Sequence, residues 1–485
     1  MKLPLSWLRD FVDLPADWDA RELARRLTDA GLEIEGVSAA ARAFSGVVVA
    51  RIISAERHPQ ADKLQVCQVV TGAGGSAAAP LTIVCGAANA RVGLVSALAR
   101  VGALLPSGVK IGAAKLRGVE SAGMLCSARE LGLAESSDGI IELAHDAPLG
   151  TDLRVYLDLD DSILDVNVTP NRGDAMSVLG MAREVVALTG GVLKLPARLT
   201  AAPDAAVEPF GVGNAFAVTL QPGAGAPRLL AQVLRGLDNT RVTPLWLCER
   251  LRRADIRSIS PVVDVTNYVM LELGQPMHAY DQARLSGGLA ARNARAGERL
   301  RLLDGREIEL DEGALVIADE QSAIGLAGVM GGERSAITSA STDVVFEAAW
   351  FKPSAIAGRA RRYGLQTDAS QSFERGVDWR GQERALALAT RLLRSIAGGS
   401  AGAVSTAELA DELPRTRPVT LRSRQLQRLV GQLVPAADVE QRLRALGMGV
   451  RAEKAGWSVQ PPSWRFDIEI EPDLIEEVVR IGGLD

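Results

Sequence analysis

The sequence predicts a multidomain α+β protein, and three observations carry that expectation. The chain has 485 residues, whereas single hydrophobic cores stop growing at roughly 250–300 residues, so several domains must share it. Apolar residues make up 47% and charged residues 23%, the balance of an ordinary globular protein. Helical and strand-like patterns also come in blocks, as expected where layers of different kinds pack into separate cores. Aromatic residues are only 4% of the chain, so Leu, Val, Ile and Ala must form most of those cores.

The first forty residues read as a small helical element. Asp19 with Glu22 three positions later is a capping signal, Leu23 and Leu27 share a face, and Gly31 suits the position after a helix end. Residues 44–143 then switch to short β-rich runs (VVVARIIS, LQVCQVV, LTIVCGA, LVSALA, GIIEL) separated by Gly, Pro and Asn, the pattern of a small barrel or sandwich. A helix follows at about 174–189, stopped by Gly190-Gly191. Residues 195–227 are rich in Pro, Ala and Gly and read as a linker or the entry to a new domain. Residues 228–395 mix strands (GALVIADE, DVVFEAAWF) with helices (TPLWLCERLRRA, RGQERALALATRLLRSIA), and AGGSAGAVS turns into a further strand. The last unit, about 416–485, carries three helical patterns: one capped by Ser423, one capped by Asp438 with Gln441 and ended by Gly447, and PDLIEEVVRI with Pro472 at its start. No solenoid-type repeat is present.

Several function classes are set aside. No run reaches the roughly 20 apolar residues that span a bilayer. Arg9, Asp10 and Asp13 interrupt the N-terminus where a signal peptide would be apolar, so no membrane association and a cytoplasmic location are expected. Four cysteines without a CxxC pair and only three histidines argue against a zinc site and a disulfide framework. The net charge is −5, but residues 40–150 carry ten basic against eight acidic side chains, +2. That local balance is permissive for RNA.

Four stretches between 58 and 130, HPQADKLQVCQV, IVCGAANARVG, GALLPSGVKIG and LRGVESAGMLCSARELGL, resemble the tRNA-binding OB-fold module found in several synthetases. The resemblance implies a barrel for structured or single-stranded RNA, with Lys63, Lys115 and Arg117 as phosphate partners; an architectural role for the module is the other reading. WLRDFVDLPAD, LARRLTDAGLEIEGV and VTPNRGDAMSVLGMAREVVALTG are similar to blocks of the bacterial phenylalanyl-tRNA synthetase β-subunit family. Asn171, Arg172 and Asp174 within the last block read as a polar helix entry joining two chain segments.

Residues 257–375 contain RSISPVVDVTNYVMLELGQPMHAYD, GLAGVMGGE, VVFEAAWF and GLQTDASQSFERGVD, which in this order resemble the proofreading domain of the same family. An apolar pocket rejects an added hydroxyl by only about 10²-fold, so a synthetase that must refuse tyrosine gains from a second, hydrolytic site. The resemblance implies Glu347 as acceptor for the tyrosine phenol. It implies His278, Asn267 and Thr266 beside the aminoacyl ester and its water, and Gly328, Gly331, Thr367 and Ala369 as shapers of the pocket. Nearby arginines (Arg250, Arg252, Arg253, Arg257, Arg359, Arg361, Arg362) are candidates to guide the acceptor end of tRNA. The segment QPGAGAPRLLAQVL departs from the family, which has a cysteine and an Arg-Tyr pair there.

In PPSWRFDIEIEPDLIEEVVRI, Asp473, Glu476 and Glu477 share a helix face. The resemblance implies that Asp467, Asp473, Glu476 and Glu477 associate with Mg²⁺ at the boundary with an α subunit, though acids at a helix start are favourable in their own right. IGGLD stands where the family has I-Y-G-Y-D. The implied organisation is an N-terminal α+β structural domain from 1–40 and 151–195, an OB-fold tRNA-binding domain at 41–150, a B3/B4-type editing domain at 205–405 and a small B5-type domain at 410–485. A further implication is truncation before a catalytic-like domain and an anticodon-binding domain, with weak or no assembly into an α2β2 heterotetramer. ATP-dependent attachment of phenylalanine to tRNA(Phe) then belongs to the α subunit, and this chain is expected to hydrolyse Tyr-tRNA(Phe). The alternative is a tRNA-binding scaffold without hydrolytic activity.

Overall fold

A computed structural model of the chain describes residues 1–72, 79–200 and 216–483. Residues 201–215 of the 195–227 segment read as a linker lie outside them; of the rest, Ala197–Thr200 forms one helical turn and Val218–Leu220 a strand. The chain divides into two compact units, Ser38–Ile163 and the remainder, Met1–Val37 with Leu164–Asp485.

The first unit is a five-stranded antiparallel sheet in the order Leu81–Cys85, Ala61–Val70, Ser45–His58, Val95–Leu104, Gly123–Cys126. Its core is Ala50, Ile52, Cys67, Val69, Ile83, Leu98 and Leu125. The two edges meet. The Ala122 amide donates to the Thr82 carbonyl at 2.9 Å and the Val84 amide to the Ser121 hydroxyl at 3.0 Å. This curls the sheet toward a closed barrel and removes exposed edges.

The second unit is organised by a four-stranded antiparallel sheet in the order Met277–Asp281, Val344–Trp350, Arg228–Arg235, Ser400–Glu408. Side chains alternate across a strand, and both faces of this sheet are covered. Leu230, Leu234, Phe346 and Ala348 pack with the helices Pro261–Leu273 and Gln382–Ala397. Leu229, Ala231, Val345 and Ala349 face a second, five-stranded sheet built from Val218–Leu220, Leu289–Asn293, Leu315–Ala318, Ala323–Leu326 and Met330–Gly331. Every residue of Val344–Trp350 is therefore buried.

The C-terminal part adds a three-stranded sheet, Val419–Arg422, Gly456–Gln460 and Gly449–Glu453, with helices Ser423–Val430, Ala436–Ala445 and Glu471–Gly482 around Leu421, Leu443, Trp457 and Leu474. Asp19 caps its helix as expected, accepting from the amides of Arg21 and Glu22, and Pro472 opens the last helix. Two expected caps are shifted. Ser423 is already the first helical residue, after Arg422, and Ala436–Ala445 starts from Pro435 with Asp438 inside its first turn. The fixed φ of Pro435 starts the turn earlier than the acidic signal does.

A buried ionic chain ties this part to the N-terminal helix Val178–Thr189. Glu184 accepts from Arg172 at 2.6 Å and from Arg480 at 2.5 Å; Arg480 also meets Glu477, and Glu477 accepts from Arg465 at 2.7 Å. Arg465 grips both oxygens of Asp467 at 2.8 Å, and Arg172 pairs with Asp174. The 168–190 block thus joins distant chain segments, as its sequence indicates. Burial alone would raise the Glu477 carboxyl, but Arg465 and Arg480 outweigh it and hold it down to about 2. A depressed carboxyl stabilises the fold above its unfolded value of 4.5 and loses that contribution as pH falls through the folded value.

Removing Arg480 leaves two buried carboxylates, Glu184 and Glu477, with one arginine each in place of two, so Arg480→Ala should lower unfolding free energy by about 3 kcal/mol in urea denaturation at pH 7. The deficit should shrink as pH falls from 4.5 toward 2. A loss under about 1 kcal/mol would show the chain of charges to be dispensable.

Candidate functional site

The central sheet places a carboxyl where a sheet buried on both faces would ordinarily have none. Glu347 lies directly opposite His278 in one neighbouring strand and Ala231 in the other. Directly paired residues point to the same face, so His278 and Glu347 both look toward the second sheet. Tyr280, two residues beyond His278, joins them. A cavity of about 70 Å³ lies there, lined by these three and by Gly325, Gly328, Met330, Gly331, Ala369 and Phe373 among others, with no lysine or arginine in its wall.

Two glycines give the cavity its shape. A Cβ on Gly331 would sit 2.4 Å from the His278 ring, so the missing side chain is what lets backbone lie over the imidazole. Gly328 has φ +68°, and a Cβ there would press on Ile356, Phe351 and Phe373 at 3.0–3.2 Å. Thr367 is outside the wall but holds it. Its hydroxyl donates to the Val329 carbonyl at 2.9 Å and accepts from the Ser370 amide at 3.1 Å. This cap starts the helix Asp368–Arg375 against the Gly328–Gly331 turn and brings Ala369 into the lining.

The electrostatics follow from burial without a counter-ion. Burial pushes the Glu347 carboxyl up to about 7, and a hydrogen bond from the Tyr280 hydroxyl to Glu347 Oε2 partly offsets it. The Tyr280 phenol, raised well above its usual range by burial and by Glu347, keeps its proton. Burial lowers His278 to about 4, so the ring is neutral near pH 7. Its Nε2 is buried without a hydrogen-bond partner, and the ring meets Tyr280 edge-on, with centroids 4.6 Å apart. The cavity therefore offers a carboxyl at the boundary of ionisation and an unsatisfied imidazole nitrogen within an otherwise mostly apolar wall.

The structure brings His278, Glu347, Gly328, Gly331 and Ala369 together. It does not bring Thr266 and Asn267 to them. Both lie on Pro261–Leu273, the helix that packs through Val262, Val265 and Val269 onto the core on the other face of the central sheet. Thr266 is buried and donates its hydroxyl to the Val263 carbonyl at 2.8 Å, and neither residue lines the cavity. Tyr280 is the residue to which the sequence reading gave no role, although its i, i+2 relation to His278 in HAYD marks it for the same face.

The acidic positions of the last motif do not converge. Asp467 and Glu477 are taken by Arg465 and Arg480, Asp473 accepts from the amides of Glu469 and Ile470, and Glu476 is exposed on the helix surface. Among the described residues no group of three or more His, Cys, Asp or Glu is placed to hold a metal ion. This donor set does not fit Mg²⁺ by itself, because guanidinium groups engage Asp467 and Glu477 and the other two acids do not converge with them.

In the Ser38–Ile163 unit, Lys63, Lys115 and Arg117 are all exposed. Arg117 has φ +43° in the turn between the strands Ala114–Leu116 and Val119–Ser121. His58 Nε2 lies 3.1 Å from the Leu116 carbonyl, which seats that hairpin beside the turn preceding Lys63. The candidate guiding arginines are partly absorbed by the fold. Arg250 binds Asp10 and Tyr268, Arg252 and Arg253 pair with Glu249, and Arg362 pairs with Asp311.

Three family models match the chain: a putative tRNA binding domain over residues 47–152, a B3/4 domain over 225–398 and a tRNA synthetase B5 domain over 419–484. The cavity lies within the B3/4 match. The whole chain is 52% identical to the phenylalanine–tRNA ligase beta subunit of Methylococcus capsulatus and 50% identical to that of Pseudomonas syringae pv. syringae. It spans 60% and 59% of those proteins. A solved N-terminal fragment of the phenylalanyl-tRNA synthetase beta subunit from Pyrococcus horikoshii aligns over 67% of this chain and 88% of its own, at 13% identity and a TM-score of 0.34, too low to bear on the fold. No helix among the described residues is long and apolar enough to cross a membrane.

A methyl group at position 331 cannot fit beside the present His278 ring. Gly331→Ala should cost about 1–3 kcal/mol in urea denaturation, with the ring displaced in a crystal structure of the variant. An unmoved ring at wild-type stability would contradict the packing described.

Proposed function

The chain belongs to the family of phenylalanine–tRNA ligase beta subunits, and on that premise we propose that its cavity hydrolyses tyrosine from mischarged Tyr-tRNA(Phe). The observation that carries the reading is Glu347, a buried carboxyl without a counter-ion in an otherwise mostly apolar cavity. A tyrosine side chain entering the cavity offers its phenol O–H to the carboxyl. A phenylalanine ring leaves the carboxyl's other oxygen desolvated and without a donor, a penalty of about 1–3 kcal/mol. The selection is the reverse of that in an apolar synthetic pocket, as a second sieve requires.

His278 serves the water. A water oxygen attacks the ester carbonyl, the bond to the terminal ribose oxygen breaks, and the proton ends on that ribose oxygen. Nε2 of the neutral ring is free to hydrogen-bond the water. A group that titrates near 4 is a weak proton acceptor at pH 7, so His278 orients the water more than it takes its proton. Gly331, with no side chain, leaves backbone close to the reacting centre.

The wider assignment follows the family. The chain acts as the beta subunit of a phenylalanine–tRNA ligase in the cytoplasm, with an α subunit that carries out ATP-dependent charging, in an α2β2 assembly. The Ser38–Ile163 barrel contacts tRNA(Phe) through Lys63, Lys115 and Arg117. Among the described residues the carboxylates form no complete site for Mg²⁺.

With the isolated chain, release of tyrosine from Tyr-tRNA(Phe) should exceed release of phenylalanine from Phe-tRNA(Phe) at least about tenfold in kcat/KM at pH 7.5. Glu347→Ala should lower the tyrosine rate by about 10–100-fold, and His278→Ala should lower it by a smaller factor. The preference should weaken as pH falls below 7, because the carboxyl then carries a proton. Release no faster than the uncatalysed background would leave the scaffold reading in its place. Lys115→Ala and Arg117→Ala should each weaken tRNA binding and reduce the slope of log affinity against log salt by about one; an unchanged slope would remove the barrel from the RNA interface.

A further inference from the structure

The Tyr280 hydroxyl donates a hydrogen bond to one oxygen of Glu347, and the rest of that carboxyl's surroundings give it no other donor. The neighbouring strands contribute His278, Tyr280 and Ala231 around Glu347. The second sheet contributes aliphatic and glycine residues, and the helix after Thr367 contributes Ala369 and Phe373. His278 and Tyr280 are thus the titratable groups facing it, and neither is a cation near pH 7. Among the described residues no other hydrogen bond reaches the carboxyl, which leaves Oε1 to the cavity.

We propose that Tyr280 is the positioning residue that sets tyrosine selectivity, by holding Glu347 Oε2 with its own phenol so that Oε1 faces a ligand phenol as an acceptor. The proposal rests on the hydrolytic reading above and adds a residue to it. A carboxylate accepts two good hydrogen bonds more readily than a buried one survives with none. The protein supplies the first donor, and a tyrosine substrate supplies the second. The ring of Tyr280 is fixed from both sides: its strand is paired to the Glu347 strand, and the His278 ring lies edge-on to it. The acceptor is therefore aimed before the ligand arrives, which is the condition for selectivity without reorganisation. Without the Tyr280 donor, burial alone governs Glu347, and the carboxyl stays protonated further into the working pH range.

Tyr280→Phe removes one oxygen and no packing volume, so the test does not depend on a cavity mutation. In the 485-residue chain, the Glu347 carboxyl band is followed against pH by infrared difference spectroscopy, with Glu347→Gln identifying the band. Its midpoint should rise by about one to two pH units in Tyr280→Phe, the shift expected for losing a hydrogen bond to a charged group. In parallel, kcat/KM for Tyr-tRNA(Phe) at pH 7 should fall about tenfold and recover as pH rises through the new midpoint, with phenylalanine release unchanged. A wild-type midpoint and a wild-type pH profile in Tyr280→Phe would overturn the proposal, since a residue that only fills space leaves both unmoved. The infrared titration needs no substrate. A chain that shows no tyrosine preference sinks the hydrolytic reading, while the midpoint still decides whether Tyr280 holds Glu347.

Discussion

The molecule's chemistry depends on one constraint: a carboxyl is carried by a strand that is buried on both faces. VVFEAAW would read as an apolar core strand were it not for Glu347, and all seven residues are buried. A sheet covered on both sides gives an acidic side chain no route to water. The protein leaves a small cavity in front of it instead, and the cavity exists because residues 328 and 331 have no side chains to fill it. The raised carboxyl, the lowered imidazole and the Tyr280 contact are all consequences of placing those groups on that face without a cation. The Thr367 cap, the β-pairing and the glycine turn then serve one purpose, which is to keep that wall rigid while its polar atoms remain unsatisfied.

A different electrostatic solution holds the C-terminal part in place. Glu184 and Glu477 are as buried as Glu347, and Asp467 and Asp174 are partly buried, but each is met by an arginine. Buried ion pairs contribute little net stability over apolar packing, but they tolerate few alternative partners. Such a network specifies how the N-terminal helix and the last helix meet. The contrast separates architectural acids from the one acid available to a ligand. Acids met by guanidinium groups have those oxygens already engaged, whereas burial shifts Glu347 upward and one of its oxygens faces the cavity. The motif containing Asp467 and Glu477 belongs to the first class within this chain.

Much of this was legible in the residues. The β-rich runs from 44 to 143 pointed to a small barrel or sandwich, and the meeting of the sheet's two edges decides for the barrel. Asp19, Gly31 and Pro472 marked helix ends through purely local hydrogen bonding and φ restriction. Glu347 was marked through the resemblance of VVFEAAWF to the proofreading domain. What was not legible depends on tertiary pairing. Thr266 and Asn267 lie near His278 in sequence, yet a helix followed by a strand puts them on the opposite side of the sheet. The role of Tyr280 depends on the register between its strand and the Glu347 strand, which no local pattern specifies. The resemblance implied metal ligands at Asp467 and Glu477, and spacing alone does not reveal that Arg465 and Arg480 grip them.

The central claim is that Glu347 reads a phenol. It is tested most directly by calorimetric titration of the chain with two non-hydrolysable analogues, the tyrosyl and phenylalanyl amides of 3′-amino-3′-deoxyadenosine. The account predicts that the tyrosyl amide binds at least about tenfold more tightly at pH 7.5, the worth of one satisfied buried acceptor, and that Glu347→Ala erases the difference. Equal affinities for the two amides, or a preference that survives Glu347→Ala, would contradict it.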